Sequence, residues 1–152
     1  MALDAAGVHY VAHPYVHDPS VTDFGAEASA ALGVDADRIF KTLVAEAASR
    51  LVVGVVPVSA SLDLKALAAA VGERSATMAD SRVAERRTGY VVGGISPIGQ
   101  KVAHPTVVDE TVELWDTVYV SGGRRGVDVE LAPADLVQIT GATIAAIARS
   151  RF

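Results

Sequence analysis

Apolar and polar positions change rhythm several times along this chain, and each change marks an element. Residues 8–17 alternate, with Val8, Tyr10, Ala12, Pro14 and Val16 on one face and His9, His13, Tyr15 and His17 on the other. That period of two predicts a half-buried strand, broken by Asp18-Pro19. Thr22-Asp23 opens an Ala-rich helix that runs to Leu32 and stops at Gly33. Two β-type runs follow, Ile39 to Ala47 and Leu51 to Val58, joined closely enough to form a hairpin. Leu64, Leu67, Ala68 and Val71 recur at helical spacing and give one apolar helix face, ended by Gly72.

In the second half, Asp80 caps a short helix through Arg87, with Gly89 as its stop. Tyr90 to Val92 reads as a strand ahead of the loop GGISPIG, and Thr106 to Val108 as another. Thr117 to Val120 and Val127 to Leu131 form a hairpin around SGGRRG. Pro133 suits the first turn of a last helix, which Gly141 ends. Asp128 and Glu130 alternate with Val127, Val129 and Leu131 and so leave the core face. Asp128 is close enough to the SGG turn to line a site, whereas Glu130 is expected in solvent. Short strands and helices without a regular βαβ rhythm indicate the α+β class.

Composition narrows this further. The 152 residues suit one domain spanning 1–152, and 51% hydrophobic with 20% charged residues exclude a disordered chain. The absence of cysteine excludes a disulfide framework, a thiolate metal site and a Cys nucleophile. The first ten residues have neither the basic nor the apolar region of a signal peptide. The longest apolar run, Leu51 to Val58, is far too short to span a bilayer. A soluble, cytoplasmic protein with no membrane partner is expected. Thirteen basic against 18 acidic residues give a net charge of −5. That opposes binding to DNA or RNA through the field of the whole protein and leaves room only for a local patch. Aromatic residues at 5% weigh against stacking platforms for single-stranded RNA.

Candidate chemistry is sparse. On an extended strand His9 and His17 stand roughly 26 Å apart, and His13 and His17 roughly 13 Å apart. No two of them can then share an ion, since Zn–N bonds are about 2 Å long, and no metal or other cofactor is expected. Ser96 in GGISPIG falls one residue short of the G-x-S-x-G nucleophile elbow, because Ile98 stands where the second glycine belongs. The paired Gly93 and Gly94 either make a plain tight turn or let backbone N–H groups approach a developing negative charge. Lys41 lies inside the apolar run Ile39-Phe40-Lys41-Thr42-Leu43-Val44, in a chain with only two other lysines, Lys65 and Lys101. It either blunts a sheet edge or places an ammonium in a pocket, where it can hold a polar group or stabilise an oxyanion. Arg124 and Arg125 sit at the hairpin tip, as a solvated turn or as phosphate contacts.

One ordered set of motifs runs through nearly the whole chain. It comprises Tyr15-Val16-His17-Asp18-Pro19, Phe24-Gly25-x-Glu27, Phe40-Lys41-Thr42-Leu43 and Leu62-Asp63-Leu64-Lys65. Thr88-Gly89-Tyr90-x-x-Gly93-Gly94-Ile95-Ser96-Pro97, Tyr119-Val120-Ser121-Gly122-Gly123 and Gly126-x-Asp128 complete it. The set resembles the YbaK/ProX group of aminoacyl-tRNA editing domains, and within it the free-standing cysteinyl-tRNA(Pro) deacylases. The resemblance implies a mixed, β-barrel-like sheet flanked by short helices. It implies hydrolysis of the ester between a wrong amino acid and the terminal adenosine of tRNA. Lys41 would be the central, catalytic residue. Tyr15, Phe24, Thr42, Gly93, Gly94, Ser96, Ser121 and Asp128 correspond to the family's pocket positions. Lys101, Arg124 and Arg125 are the candidates for phosphate contacts with the tRNA. The partners implied are the mischarged 3′ end and prolyl-tRNA synthetase. Two alternatives stay open: a sibling deacylase acting on alanyl- or another small aminoacyl-tRNA, and a non-catalytic module that binds a small ligand or a synthetase.

Overall fold

The computed structural model describes residues 2–150. Along the chain run α1 (Ala2–Ala5), β1 (Tyr10–Pro14), α2 (Phe24–Leu32), β2 (Phe40–Ala47), β3 (Arg50–Pro57), β4 (Ala60–Leu62), α3 (Leu64–Ala70) and β5 (Thr77–Met78). There follow α4 (Ser81–Thr88), β6 (Thr106–Asp109), a 3₁₀ turn (Glu110–Leu114), β7 (Val118–Arg124), β8 (Val127–Leu131), α5 (Pro133–Thr140), β9 (Thr143–Ala145) and β10 (Ala148–Ser150).

The apolar run at 51–58 becomes the centre of a five-stranded mixed sheet of order β5-β2-β3-β6-β9. All eight of its residues are buried, because layers cover both faces of β3 and leave no polar side to alternate with. Its antiparallel partner is β2, from Phe40 opposite Pro57 to Ala47 opposite Arg50, and its parallel partner is β6. The β2–β3 turn has left-handed φ at both Ala48 (49°) and Ser49 (70°), as a two-residue type I′ hairpin turn requires. On one face, Phe40, Val53, Val55 and Val108 pack against Val118, Val120, Val129 and Leu131 of a second, three-stranded antiparallel sheet of order β1-β8-β7, and against Leu136 of α5. On the other, Ala45, Val52, Val56 and Val107 pack against Leu67 of α3 and Ile147. Each Val or Leu buried this way stabilises the fold by roughly 1.5–3 kcal/mol.

Helix boundaries follow their local chemistry. The side chains of Asp23, Asp63 and Asp80 accept hydrogen bonds from backbone N–H groups in the first turns of α2, α3 and α4, each such cap being worth about 1 kcal/mol. Gly33, Gly89 and Gly141 close α2, α4 and α5 in the left-handed conformation.

The structure departs from the sequence reading in four places. The sheets do not close into a barrel: among the described residues, the two larger ones are joined only by the bridge Ile39–Tyr119 and the bond from Tyr119 N–H to the Arg38 carbonyl. Tyr90 to Val92 is not a strand. Val91 and Val92 are exposed, the Val91 carbonyl closes a turn with Gly94 N–H, and the Val92 N–H goes to the Glu85 carboxylate, so no ladder forms. Beyond Ala12 the alternation of the first strand continues, but the histidine face is the one that is covered. Val16 is 92% exposed, whereas His13, Tyr15 and His17 are half-buried, because pairing with β8 sets His13 opposite the buried Asp128 and the bond from Tyr15 N–H to the Gly126 carbonyl holds the following residues on that side. Glu130 is half-buried and not free in solvent: it accepts hydrogen bonds from His13 (2.9 Å), Thr117 (2.5 Å) and Arg38 (3.1 Å). The Thr117 hydroxyl, first among these donors, holds its carboxyl below the usual range.

Candidate active site

Between α2, β2 and the start of α4 lies a cavity of about 560 Å³, within the range of small-molecule sites. Seven of the residues singled out from sequence line it: Tyr15, Phe24, Lys41, Thr42, Gly93, Ser121 and Asp128. They arrive from six separate segments, and the two sheets and α2 bring them together.

Strand alternation gives Lys41 the face of Ile39, which packs with Ala28 of α2 and with Val58. Lys41 is half-buried and lines the cavity, on the stretch of β2 that is paired to β3 on one side and that β5, which meets β2 only at Ala45 and Glu46, leaves open on the other. Thr42 is turned the other way. Its hydroxyl is buried without a hydrogen-bond partner, an arrangement that costs stability unless something visits it.

The opposite wall centres on Asp128, on β8 beside β1. Its side chain is 5% exposed, and burial pushes its carboxyl up to about 7, with His13 only partly offsetting this. Tyr15 is nearby; burial first, and then the charge of Asp128, raises its phenol. Between pH 4 and 7 the folded protein therefore holds a proton on Asp128 that the unfolded chain has released. This group's contribution to stability falls as pH rises through that window and is flat above it. In Asp128→Asn the fall is absent. Between pH 5 and 8 the stability of the variant should gain on that of the wild type by roughly 2–3 kcal/mol. Parallel stability–pH curves from urea titrations would refute this account of Asp128.

The roof of the cavity is a stack. Gly93 has φ +87°, and a Cβ there would meet the Phe24 ring at 2.7 Å, so the glycine lets ring and loop touch. On Phe24 lies the Arg125 guanidinium, 4.6 Å from the ring centre, a cation–π contact; Arg125 Nε also donates to the Val92 carbonyl at 2.8 Å. Phe24 is held from below by a bridge that joins two of the sequence motifs. Glu27 accepts a 2.6 Å bond from the His17 ring and a 2.9 Å bond from Asp18 N–H, and these keep its carboxyl below the usual range, the His17 bond foremost.

Two residues expected in the site stand outside it. Ser96 is buried beneath the loop, where its hydroxyl accepts from Ile98 N–H at 3.1 Å; it borders a separate small void with Tyr90 and Ile98. Gly94 N–H is already bonded to Val91, and the residue presses on the β7–β8 tip, where a Cβ would come within 2.8 Å of Arg124 Cα. Of the two glycines only Gly93 borders the cavity, and among the described residues its N–H has no hydrogen-bond acceptor. The sequence reading missed Met78, Ala79, Ser81 and Ala84, which close the far wall. The signal for them was Asp80, whose capping of α4 sets this segment against β2. Lys101 and Arg124 are exposed and do not line the cavity.

Comparison with known proteins places this geometry. A protein of Enterococcus faecalis named "Putative Cys-tRNA(Pro)/Cys-tRNA(Cys) deacylase EbsC" is 41% identical over 117 residues, 76% of this chain and 71% of that protein. The YwhH protein of Bacillus subtilis is 25% identical over 92% of both chains. A crystal structure described as "a putative trans-editing enzyme for prolyl tRNA synthetase" superposes with a TM-score of 0.86 at 26% identity, covering 98% of this chain and 93% of that one. Residues 18–139 match the family described as the aminoacyl-tRNA editing domain. With that match extending over most of its length and enclosing most of the cavity wall, the chain belongs to the aminoacyl-tRNA editing domain family.

Proposed function

We propose that this chain is a single editing domain that deacylates mischarged tRNA, with Cys-tRNA(Pro) as its preferred substrate. The observation that carries the reading is the composition of the cavity: a lysine, a buried carboxylate and an unpartnered threonine hydroxyl, in a member of the editing family. Ser96 and Ser121 have their hydroxyls engaged by backbone N–H groups, and among the described residues no serine is hydrogen-bonded to a histidine. An enzyme nucleophile is not required. An aminoacyl ester is already activated, so orienting it and stabilising the oxyanion suffice.

In this reading the Lys41 ammonium and Gly93 N–H face the developing oxyanion, and the Thr42 hydroxyl is a further donor within the cavity. Asp128 receives the α-ammonium of the amino acid. An approaching cation lowers the pKa of a buried carboxyl, so substrate binding would ionise Asp128. The nucleophile is water or, for cysteine, the substrate's own thiolate. In the second case the sulfur bonds to the carbonyl carbon, the C–O bond to the ribose breaks, and the ribose oxygen takes a proton. The resulting thiolactone is then opened by water. Lys101, Arg124 and Arg125 contact phosphates of the tRNA end. The E. faecalis relative's name supports the cysteinyl substrate, and the superposed structure's description supports work alongside prolyl-tRNA synthetase; a cytoplasmic location belongs to the same proposal.

A panel of mischarged tRNAs tests the reading. Cys-tRNA(Pro) should be cleared fastest, Ala-tRNA(Pro) more slowly and correctly charged Pro-tRNA(Pro) slowest. Preference for the alanyl substrate would assign the chain to a sibling specificity, which a cavity of this size also admits. No turnover of any of them would leave only a binding module.

A further inference from the structure

The chain carries a net charge of −5, yet six of its 13 lysines and arginines fall on three adjoining segments, two of which also supply cavity-lining residues, Ser81 and Ala84 from one and Val92 and Gly93 from the next. Arg82, Arg86 and Arg87 come from α4, Lys101 from the following loop, and Arg124 and Arg125 from the β7–β8 tip. Backbone bonds tie these segments together. Lys101 N–H donates to the Thr88 carbonyl at 2.8 Å and Val102 N–H to that of Arg87 at 3.2 Å, while Arg125 holds the Val92 carbonyl. Ser81 and Ala84 on the inner side of α4 line the cavity. Arg82 and Arg86, one turn apart on the exposed side, are thus about a helix diameter, roughly 10 Å, from it.

Helix stability does not account for this arrangement. Arg86 and Arg87 in the last turn complement the helix dipole, but Arg82 in the first turn opposes it. Arg82 and Arg86, four residues apart, also repel each other. The only acid of α4, Glu85, is turned to Val92 N–H. Among the described residues no carboxylate forms an ion pair with any of the six. The same rim carries the exposed apolar side chains of Met78, Val91 and Val92, which suit contact with the face of a base.

We propose that the outward side of α4 is a docking ridge for the phosphodiester backbone of the single-stranded 3′ end of tRNA. Arg82 and Arg86 bind the phosphates behind the terminal adenosine while that nucleoside enters over the Met78–Val92 rim. The proposal rests on the deacylase reading and extends the phosphate contacts from the hairpin tip to a helix that the sequence motifs did not single out.

The test uses the double variant Arg82→Ala/Arg86→Ala and two substrates, Cys-tRNA(Pro) and 3′-O-cysteinyl-adenosine. On the tRNA, kcat/KM at low salt should fall about tenfold. The slope of its logarithm against log salt should flatten by about 1.4, near 0.7 for each single-strand phosphate that the variant no longer neutralises. Turnover of cysteinyl-adenosine, which has no phosphates, should stay within about twofold of wild type; this also reports that the variant is folded. Unchanged kinetics on the tRNA, with the wild type active on both substrates, would overturn the ridge and leave the deacylase reading standing. A loss seen only when prolyl-tRNA synthetase is present would also overturn it, by assigning the patch to a protein contact. If the wild type turns over neither substrate, the deacylase reading fails and the ridge with it.

Discussion

Lys41→Ala should lower kcat/KM for deacylation by about 10²–10³-fold, the usual cost of removing one oxyanion donor, while the protein stays folded. The lysine is half-buried in a strand that is paired along its length to β3 and bounds the cavity. Removing its side chain there widens the cavity without exposing the apolar clusters on either face of the sheet. Lys41→Arg should fail nearly as badly, because a planar guanidinium does not reproduce a compact ammonium in a confined site. The measurement is single-turnover deacylation of Cys-tRNA(Pro), with unfolding midpoints as the control. A folded Lys41→Ala protein within a few-fold of wild-type rate would remove Lys41 from the chemistry and return it to a structural role.

The second large effect concerns the substrate. Serine is nearly the size of cysteine, but at neutral pH its hydroxyl is hardly ionised, whereas a few per cent of a free thiol is thiolate. If the cysteine thiolate attacks its own ester, Ser-tRNA(Pro) should be cleared at least ~10²-fold more slowly than Cys-tRNA(Pro). The cysteine rate should also climb with pH toward the thiol's pKa of about 8.5. Comparable rates for the two would leave water as the nucleophile and Lys41 as the main source of acceleration.

Much of the fold could be read from the chain because its punctuation is local. The Asp caps and stop glycines bound α2 and α4, and the β2–β3 and β7–β8 hairpins follow from runs of β-formers separated by short turns. What escaped was either too short or partnered far away. β4, β5, β9 and β10 have two or three residues each, fewer than any periodicity needs. Tyr90 to Val92 has the residues of a strand but no neighbour to pair with. The covering of the histidine face after Ala12 depends on Asp128 and Gly126, more than 100 residues away. For the site, spacing alone isolated Lys41, the Gly93-Gly94 turn and Asp128. Tyr15, Phe24, Thr42 and Ser121 were legible only as parts of ordered motifs, since the geometry that gathers them is tertiary. Glycine flexibility suggested that both Gly93 and Gly94 serve a ligand. Only packing shows that Gly94 is instead the seat of the Arg124 backbone.

The pairing of β1 with β8, His13 opposite Asp128, has a consequence for synthesis on the ribosome. The first strand leaves the exit tunnel well over a hundred residues ahead of its partner, a wait of roughly 6–25 s at about 5–20 residues per second. Throughout that interval the nascent chain has no Asp128 beside Tyr15 and so no complete binding cavity, and the waiting strand is open to wrong partners. Its sequence, Tyr-Val-Ala-His-Pro, suits that exposure: a histidine and a terminal proline lower its tendency to pair with neighbouring nascent chains. The enzyme thus becomes competent only once β8 has emerged and closed the wall.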